Sequence, residues 1–273
     1  MKYFETECVS EHIIRIKSFL GMCAYLVVGQ EKAALIDTCE GIGDLKKVVK
    51  ELTNKPCFVI LTHGHFDHVN GCGQFDEVYL NKKDFEICQR DSSWEFRQNR
   101  LQEQLGEKAT EIPKTDFILP KEDIFKELED GATFDLGNIC LRAIEVPGHT
   151  QGMTCILIED ERTIIFGDAC GTCGLLFKEE SSTIVEYQNS LLNLKKWENQ
   201  YDTVLRNHGN YCSPKDVLDN NIELCKSIIN RTDDKEPFLY RGVEHLLAKK
   251  IDEKLRRIDG KEGNIAYDES HIF

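Results

Sequence analysis

One stretch, residues 56–68, limits more strongly than any other what this chain can fold into. It opens with the apolar run PCFVIL at residues 56–61, whose length and β-branched members predict a buried strand. The sequence THGHFDH follows at once, and its Gly64 permits a tight backbone path out of the strand. The loop at the end of this strand therefore carries four side chains that can bind a metal ion: His63, His65, Asp67 and His68.

Three more short motifs with ligand-type residues follow along the chain. They are PGHT at residues 147–150, FGD at 166–168 and NHG at 207–209. Together with the His-x-His-x-Asp-His pattern at 63–68, they resemble the signature of the metallo-β-lactamase superfamily over roughly residues 10–215. Five of the eight histidines of the chain lie in these four motifs. That concentration disfavours the alternative that each is an isolated core or surface histidine.

The resemblance implies a complete ligand set for two metal ions. The residues that correspond to ligands of the first ion are His63, His65 and His149. Those that correspond to ligands of the second ion are Asp67, His68 and His208, and Asp168 would bridge both ions. Asp67 is also the candidate catalytic residue, since it could steer the proton of the attacking water or protonate the leaving group. Asp37 ends an earlier strand, and we expect it to support the ligands, to cap its strand, or both.

This donor set favours zinc, and we expect two ions per chain. Manganese and iron are alternatives, because the sequence does not fix which metal is bound. Two divalent ions about 3.5–4 Å apart can share a hydroxide and lower the pKa of its parent water towards neutrality. No Ser or Cys nucleophile is then required. Flavodiiron oxygen reductases share the fold but usually carry Glu where this chain has His65, so they are disfavoured.

The chain size and the complete ligand set resemble the glyoxalase II group, so hydrolysis of a small-molecule thioester or ester is the leading expectation. A lactonase of the acyl-homoserine lactone type is the alternative, although Gly171 stands where many lactonases carry Tyr. A phosphodiesterase and an inactive metal-binding scaffold are further alternatives. β-Lactam hydrolysis is disfavoured because Asp168 would bridge the two ions and because a cytoplasmic location is expected.

Charge and composition limit the partners. The 273 residues include 34 basic and 48 acidic side chains, a net charge of −14, which disfavours nucleic acids and anionic membranes as partners. No apolar run is long enough for a transmembrane helix, and the first residues lack the apolar core of a signal peptide. We therefore expect a cytoplasmic enzyme with a small-molecule substrate. The oligomeric state is left open, a homodimer included.

The order of predicted elements indicates an α+β fold, a four-layer αββα sandwich in one domain over residues 1–273. A strand, a ligand loop and a second strand recur around His63 and around His149, which suggests two β-rich halves with helices outside. A helical insertion is expected at about 82–116, where Trp94 and Phe96 either form a substrate lid or pack the helices down. C-terminal helices are expected at about 214–258, one beginning at Ser213-Pro214 and another covering 240–257.

Twelve cysteines are many for this length. Without a signal peptide they are expected to be reduced thiols. Cys170 and Cys173 have the C-x-x-C spacing of redox or metal sites. No second such pair accompanies them, so we favour a structural turn over a redox role.

Overall fold

The computed structural model describes residues 2–121 and 124–273. They form two compact units. The first unit comprises the residues up to Leu141 together with Asn207–Gly209, and the second unit comprises Arg142–Arg206 and Asn210–Phe273. The single domain over residues 1–273 stays a prediction. Within the described ranges, no helix combines the length and apolar character that crossing a bilayer requires.

The first unit is built on a seven-stranded sheet whose strands lie side by side in chain order. They are β1 (Phe4–Cys8), β2 (Ile13–Ser18), β3 (Cys23–Val28), β4 (Ala33–Ile36), β5 (Cys57–Ile60), β6 (Val78–Leu80) and β7 (Phe125–Glu127). Neighbours are antiparallel from β1 to β4 and parallel from β4 to β7. Because parallel strands run in one direction, β4, β5 and β6 deliver the residues that follow them to the same edge of the sheet.

Four helices and one more strand complete the first unit. They are α1 (Leu45–Leu52), α2 (Phe66–Val69), α3 (Phe85–Asp91), α4 (Trp94–Leu105) and β8 (Thr133–Asp135). Helix α1 begins after Asp44, whose carboxylate accepts a hydrogen bond from the Lys47 amide, and it buries Leu45 and Val49. Residues 82–116 hold α3, α4 and short 3₁₀ turns, so the predicted insertion is helical.

The second unit contains two sheets and two helices. Its elements are β9 (Cys140–Glu145), β10 (Thr154–Ile158), β11 (Thr163–Ile165), β12 (Gly174–Leu176), α5 (Ile184–Lys195), β13 (Thr203–Leu205), β14 (Cys212–Ser213), α6 (Val217–Ile229), β15 (Glu236–Tyr240), β16 (Val243–Leu247) and β17 (Ile265–Tyr267). Within this unit, one sheet has the order β14-β13-β11-β10-β9 and the other the order β12-β17-β16-β15. Helix α5 begins with a capping box between Thr183 and Glu186 and buries Leu191 and Leu194 in the core.

The helix predicted over 240–257 is wrong, because this segment begins as the second strand of a hairpin. Arg241 and Gly242 both have positive φ, 51° and 80°, which suits the two-residue turn between β15 and β16. His245 and Leu247 are buried two residues apart, the period of a strand. Of the C-terminal helices predicted over 214–258, one α-helix, α6, is found in the described residues.

The predicted start of that helix at Ser213-Pro214 is also wrong. Ser213 belongs to β14 and its hydroxyl donates to Glu262, so it is not available as a cap. Helix α6 begins after Asp216, whose side chain makes no capping hydrogen bond. A Ser-Pro pair is thus a signal for a nearby helix start, accurate here to within three residues.

Candidate metal centre

The predicted ligands of the first unit collect at the edge of the sheet where β4, β5 and β6 end. Asp37 follows β4 directly, and Thr62 and His63 follow β5. Gly64 comes next, and a Cβ atom there would lie 2.6 Å from the carbonyl oxygen of Asp84, so only glycine fits between the strand end and the start of α3. The parallel direction of these strands accounts for the gathering of side chains that are far apart in sequence.

Asp37 is the hydrogen-bonding centre of this edge. Its carboxylate is fully buried and accepts from the Thr62 amide at 2.7 Å, the Thr62 hydroxyl at 2.8 Å and His68 Nδ1 at 2.8 Å. Asn207 Nδ2 donates to it at 3.0 Å. The backbone of Asp37 has φ +62°, a conformation that Asp tolerates better than most residues. Asp37 therefore contacts a predicted ligand, as expected.

This network fixes which imidazole nitrogens are available to a metal. Since the Thr62 hydroxyl donates to Asp37, it is an acceptor for His63 Nδ1 at 3.1 Å. With Nδ1 of both histidines engaged, Nε2 of each is the nitrogen that could bind a metal ion.

A first group of donor atoms lies within the first unit. His68 Nε2 is 3.2 Å from His208 Nε2, which is 3.3 Å from an Asp67 carboxylate oxygen. One ligand atom from each of Asp67, His68 and His208 lies within 4.8 Å of the others. Two imidazole nitrogens and a carboxylate oxygen this close together are donors that suit zinc, so the residues fit a divalent ion.

Charge around Asp67 favours its ionised form. Burial opposes ionisation, but the imidazoles of His68, His208 and His65 together hold the pKa of Asp67 well below its ordinary value. The carboxylate is therefore ionised at neutral pH, the form in which it can bind a metal ion.

Helix α3 holds the ligand loop at both of its ends. Just before the helix, Asp84 accepts a hydrogen bond from the Gly64 amide at 2.8 Å. At its other end, Asp91 accepts from the Phe66 amide at 3.0 Å. Both carboxylates are buried, at 0% and 1% exposure. The two amides flank His65, so α3 fixes the backbone that carries this histidine.

The second unit brings together its own two predicted ligands. His149 Nε2 lies 3.7 Å from a carboxylate oxygen of Asp168. His149 Nδ1 donates to the carbonyl oxygen of Leu175 at 3.1 Å, so Nε2 is the nitrogen that could bind a metal ion. The Ser181 hydroxyl donates to the His149 carbonyl at 3.1 Å. A Cβ atom on Gly148 would lie 2.3 Å from the Tyr187 ring, so glycine is required just before this histidine.

Each unit thus gathers the ligands that the sequence predicts for it, while their assignment to two ions stays a prediction. Sequence reasoning missed four supporting residues: Thr62, Asp84, Asp91 and Asn207. The signal for two of them was weak but present, since Asp84 and Asp91 are seven residues apart and so share one face of the helix. Nothing local marked the hydrogen bonds of Thr62 and Asn207 to Asp37.

The two residues of the predicted lid, Trp94 and Phe96, differ in how far they are packed. Phe96 lies near Phe66, with ring centroids 6.4 Å apart, and Arg97 is buried and donates to the Gly41 carbonyl at 2.8 Å, so both pack α4 in place. Trp94 contacts Phe117 yet stays 42% exposed. A lid role for Trp94 stays a prediction.

All twelve cysteines lie in the described ranges and are free thiols. Cys170 is buried, and burial raises the pKa of its thiol to about 12. A thiol of that kind is a poor nucleophile at neutral pH, which agrees with the structural interpretation. A redox role for Cys170 and Cys173 is not tested.

The family model of the metallo-beta-lactamase superfamily matches residues 23–199. The chain belongs to this superfamily. A probable polyketide biosynthesis zinc-dependent hydrolase, BaeB of Bacillus velezensis, is 27% identical over 155 residues, 55% of this chain and 58% of that protein. The acyl-coenzyme A thioesterase MBLAC2 of Homo sapiens is 25% identical over 175 residues, 53% of this chain and 56% of that protein.

A hydroxyacylglutathione hydrolase of Pelagibacter ubique is 27% identical over 181 residues, which are 63% of this chain and 60% of that hydrolase. The chain thus spans less than two thirds of each of these relatives. Among solved structures, a metallo-beta-lactamase from Erythrobacter litoralis is similar with a TM-score of 0.58 and 13% identity, covering 83% of this chain and 98% of that one. The predicted α+β fold of the metallo-β-lactamase type is confirmed.

Proposed function

We propose that this protein is a dinuclear metal-dependent hydrolase that cleaves a thioester or ester bond in a small molecule, as glyoxalase II does. The observation that carries the proposal is the buried carboxylate of Asp37, which orients His68 directly and His63 through Thr62. A carboxylate behind a histidine ligand fixes the tautomer and raises ligand basicity, and that arrangement is typical of working metal sites. Relatives named as a thioesterase and a hydroxyacylglutathione hydrolase support the bond type.

The residues that would hold the two ions, zinc in the first instance, are His63, His65, Asp67, His68, His149, Asp168 and His208. When bound, such ions supply a hydroxide nucleophile near neutral pH and polarise a substrate carbonyl. Asp67 would be ionised, since its pKa is held below the ordinary value, and its carboxylate would steer the proton of the attacking water. Asp37, Asp84 and Asp91 would keep the ligand loop in one conformation and so reduce the reorganisation that metal binding costs.

A thioester is preferred over a lactone as substrate. Many lactonases carry Tyr at the position of Gly171, and a Cβ atom there would already approach the Arg206 side chain to 3.0 Å. A larger side chain at this position would require Arg206 to move. The net charge of −14 favours a small molecule over nucleic acid as the partner.

A substrate panel tests the proposal. The zinc-loaded protein is assayed with S-lactoylglutathione, an acyl-coenzyme A, an acyl-homoserine lactone, a phosphodiester and a β-lactam, with His68→Ala as the inactive control. We expect the highest kcat/KM with a thioester, and trimming Trp94 to Ala should raise KM for bulky acyl groups more than for small ones. Lactone turnover faster than that of every thioester would favour the lactonase, and dominant phosphodiester cleavage would contradict both. Full metal loading without turnover of any panel member would contradict the hydrolase proposed here.

A further inference from the structure

An open cavity of 360 Å³ lies beside helix α3 in the first unit. Its size is within the range of small-molecule sites, about 300–1,000 Å³. Helix α3 and its C-terminal cap present Phe85, Cys88, Gln89 and Ser92 to it, residues that recur at helical spacing and so share one face. Val69, the last residue of α2, and Cys72 also line the cavity.

The walls of this cavity are apolar. Cys72 and Cys88 are buried, at 5% and 4% exposure, and burial raises the pKa of the Cys88 thiol to about 12, so it is neutral and behaves as a small hydrophobic group. Phe125 forms the opposite side, with its ring 5.7 Å from that of Phe85. Phe85 nevertheless keeps 38% of its surface exposed. Its exposed ring is therefore available to pack against a molecule bound in the cavity.

Polar groups line the rim of the same cavity. They come from Gln89, Ser92, Ser93 and Lys121. The Lys121 side chain is 47% exposed and donates to Asp76 at 2.8 Å, so its ammonium lies at the solvent side. An apolar interior with hydrogen-bonding and cationic groups at the mouth matches a molecule with a chain at one end and a polar head at the other.

We propose that this cavity binds an amphipathic chain compound, with the chain against Val69, Cys88 and Phe125 and the head group at the rim. A medium-chain fatty acid is the simplest member of this class. The inference does not rest on the proposed hydrolysis, because binding needs neither metal nor turnover.

Binding in the cavity would also restrain the loop at residues 63–68, which carries predicted metal ligands. Helix α3 lines the cavity with one face, while Asp84 before it and Asp91 at its end hold the Gly64 and Phe66 amides. A ligand that packs against α3 would therefore restrain the helix that positions His65. Hydrogen exchange should slow at the amides of Gly64 and Phe66 when the cavity is filled.

Calorimetric titration of the metal-free full chain with decanoate tests the proposal. We expect saturable binding at one site per chain. Cys88→Phe and Ser92→Phe, which fill the cavity, should each weaken binding by about tenfold or more, while Glu86→Phe, on the exposed side of the same helix, should leave it unchanged. Thermal unfolding of each variant identifies those that are folded, and a Ser92→Phe protein remains as a test if Cys88→Phe does not fold.

Decan-1-ol separates the role of the chain from that of the head group. Lys121→Gln should weaken decanoate binding by about threefold and leave the alcohol unaffected, since only the acid is charged. The proposal is overturned by an absence of saturable binding or by equal binding in the folded cavity-filling variants. Unchanged exchange at Gly64 and Phe66 in the decanoate-saturated protein would overturn the effect of binding on the loop that carries His65.

Discussion

The two units support their predicted metal ligands by different chemistry. In the first unit, a buried carboxylate, Asp37, accepts a hydrogen bond from His68 and supports His63 through Thr62. In the second, His149 donates to the neutral carbonyl of Leu175. Both arrangements fix a tautomer, but a carboxylate also adds negative charge and raises ligand basicity. The first unit should therefore be the more sensitive to a change in its supporting residues.

The largest effect is expected from Asp37→Asn. Asn tolerates the positive φ of this position, so the substitution isolates the carboxylate. Its amide group would face donors from Thr62, His68 and Asn207, and losing one partner of such a buried network costs about 3–5 kcal/mol. We expect a lower thermal midpoint and a 10–100-fold weaker zinc affinity, roughly what loss of a supporting group costs at metal sites.

Asp76→Asn is the matched control, because Asp76 is an exposed carboxylate that pairs with Lys46 and Lys121. It should change neither zinc affinity nor the thermal midpoint appreciably. Equal zinc affinity in Asp37→Asn and the native protein would refute the supporting role of Asp37.

A second buried carboxylate of the first unit should make stability depend on pH. Glu40 is 3% exposed and accepts a hydrogen bond from Ser18, and burial raises its pKa from the ordinary 4.5 to about 7. A raised carboxyl pKa contributes stability that is present below pH 4.5 and lost as pH rises through 7. Glu40→Gln in metal-free protein should match the native stability near pH 4.5 and exceed it by up to about 3 kcal/mol above pH 7.

Denaturant unfolding across this pH range measures the difference between the two proteins. Glu95→Gln, which changes an exposed carboxylate, serves as the control and should show no such divergence. A constant gap between Glu40→Gln and native protein from pH 4.5 to 8 would show that Glu40 does not titrate in this interval.

The smallest effect is expected in the second unit, from Ser181→Ala. It removes the Ser181 hydroxyl, which donates to the His149 carbonyl at 3.1 Å and approaches the Leu175 carbonyl at 3.4 Å. A neutral hydrogen bond of this kind contributes about 0.5–1.5 kcal/mol. The thermal midpoint should fall slightly and zinc affinity should change by less than in Asp37→Asn. A loss of zinc affinity as large as that of Asp37→Asn would remove the distinction between the two kinds of support.

The sequence predicted best what is encoded locally. The apolar run before His63 is strand β5, and the polar segment from Phe85 to Leu105 is the helix pair α3 and α4. Both depend on residues close together in the chain, so periodicity alone suffices. Each ligand motif was visible for the same reason.

The supporting contacts could not be predicted in this way. Asp37 and Asn207 are 170 positions apart, and their hydrogen bond exists only because the fold brings their segments together. The hairpin of β15 and β16 was missed for another reason, since Leu247, Ile251 and Leu255 are four residues apart, a spacing that fits a helix as well as a strand. The turn residues Arg241 and Gly242 were the better signal.

Metal content tests most directly the proposal that the seven predicted ligand residues hold two metal ions per chain. Protein purified without chelator and reconstituted with zinc is analysed by elemental mass spectrometry, together with Asp168→Ala and His208→Ala. We predict about two ions per native chain, loss of one ion in His208→Ala, and a larger loss in Asp168→Ala, because a bridging residue contacts both ions. A native content near zero, or two ions retained in Asp168→Ala, would contradict the dinuclear assignment.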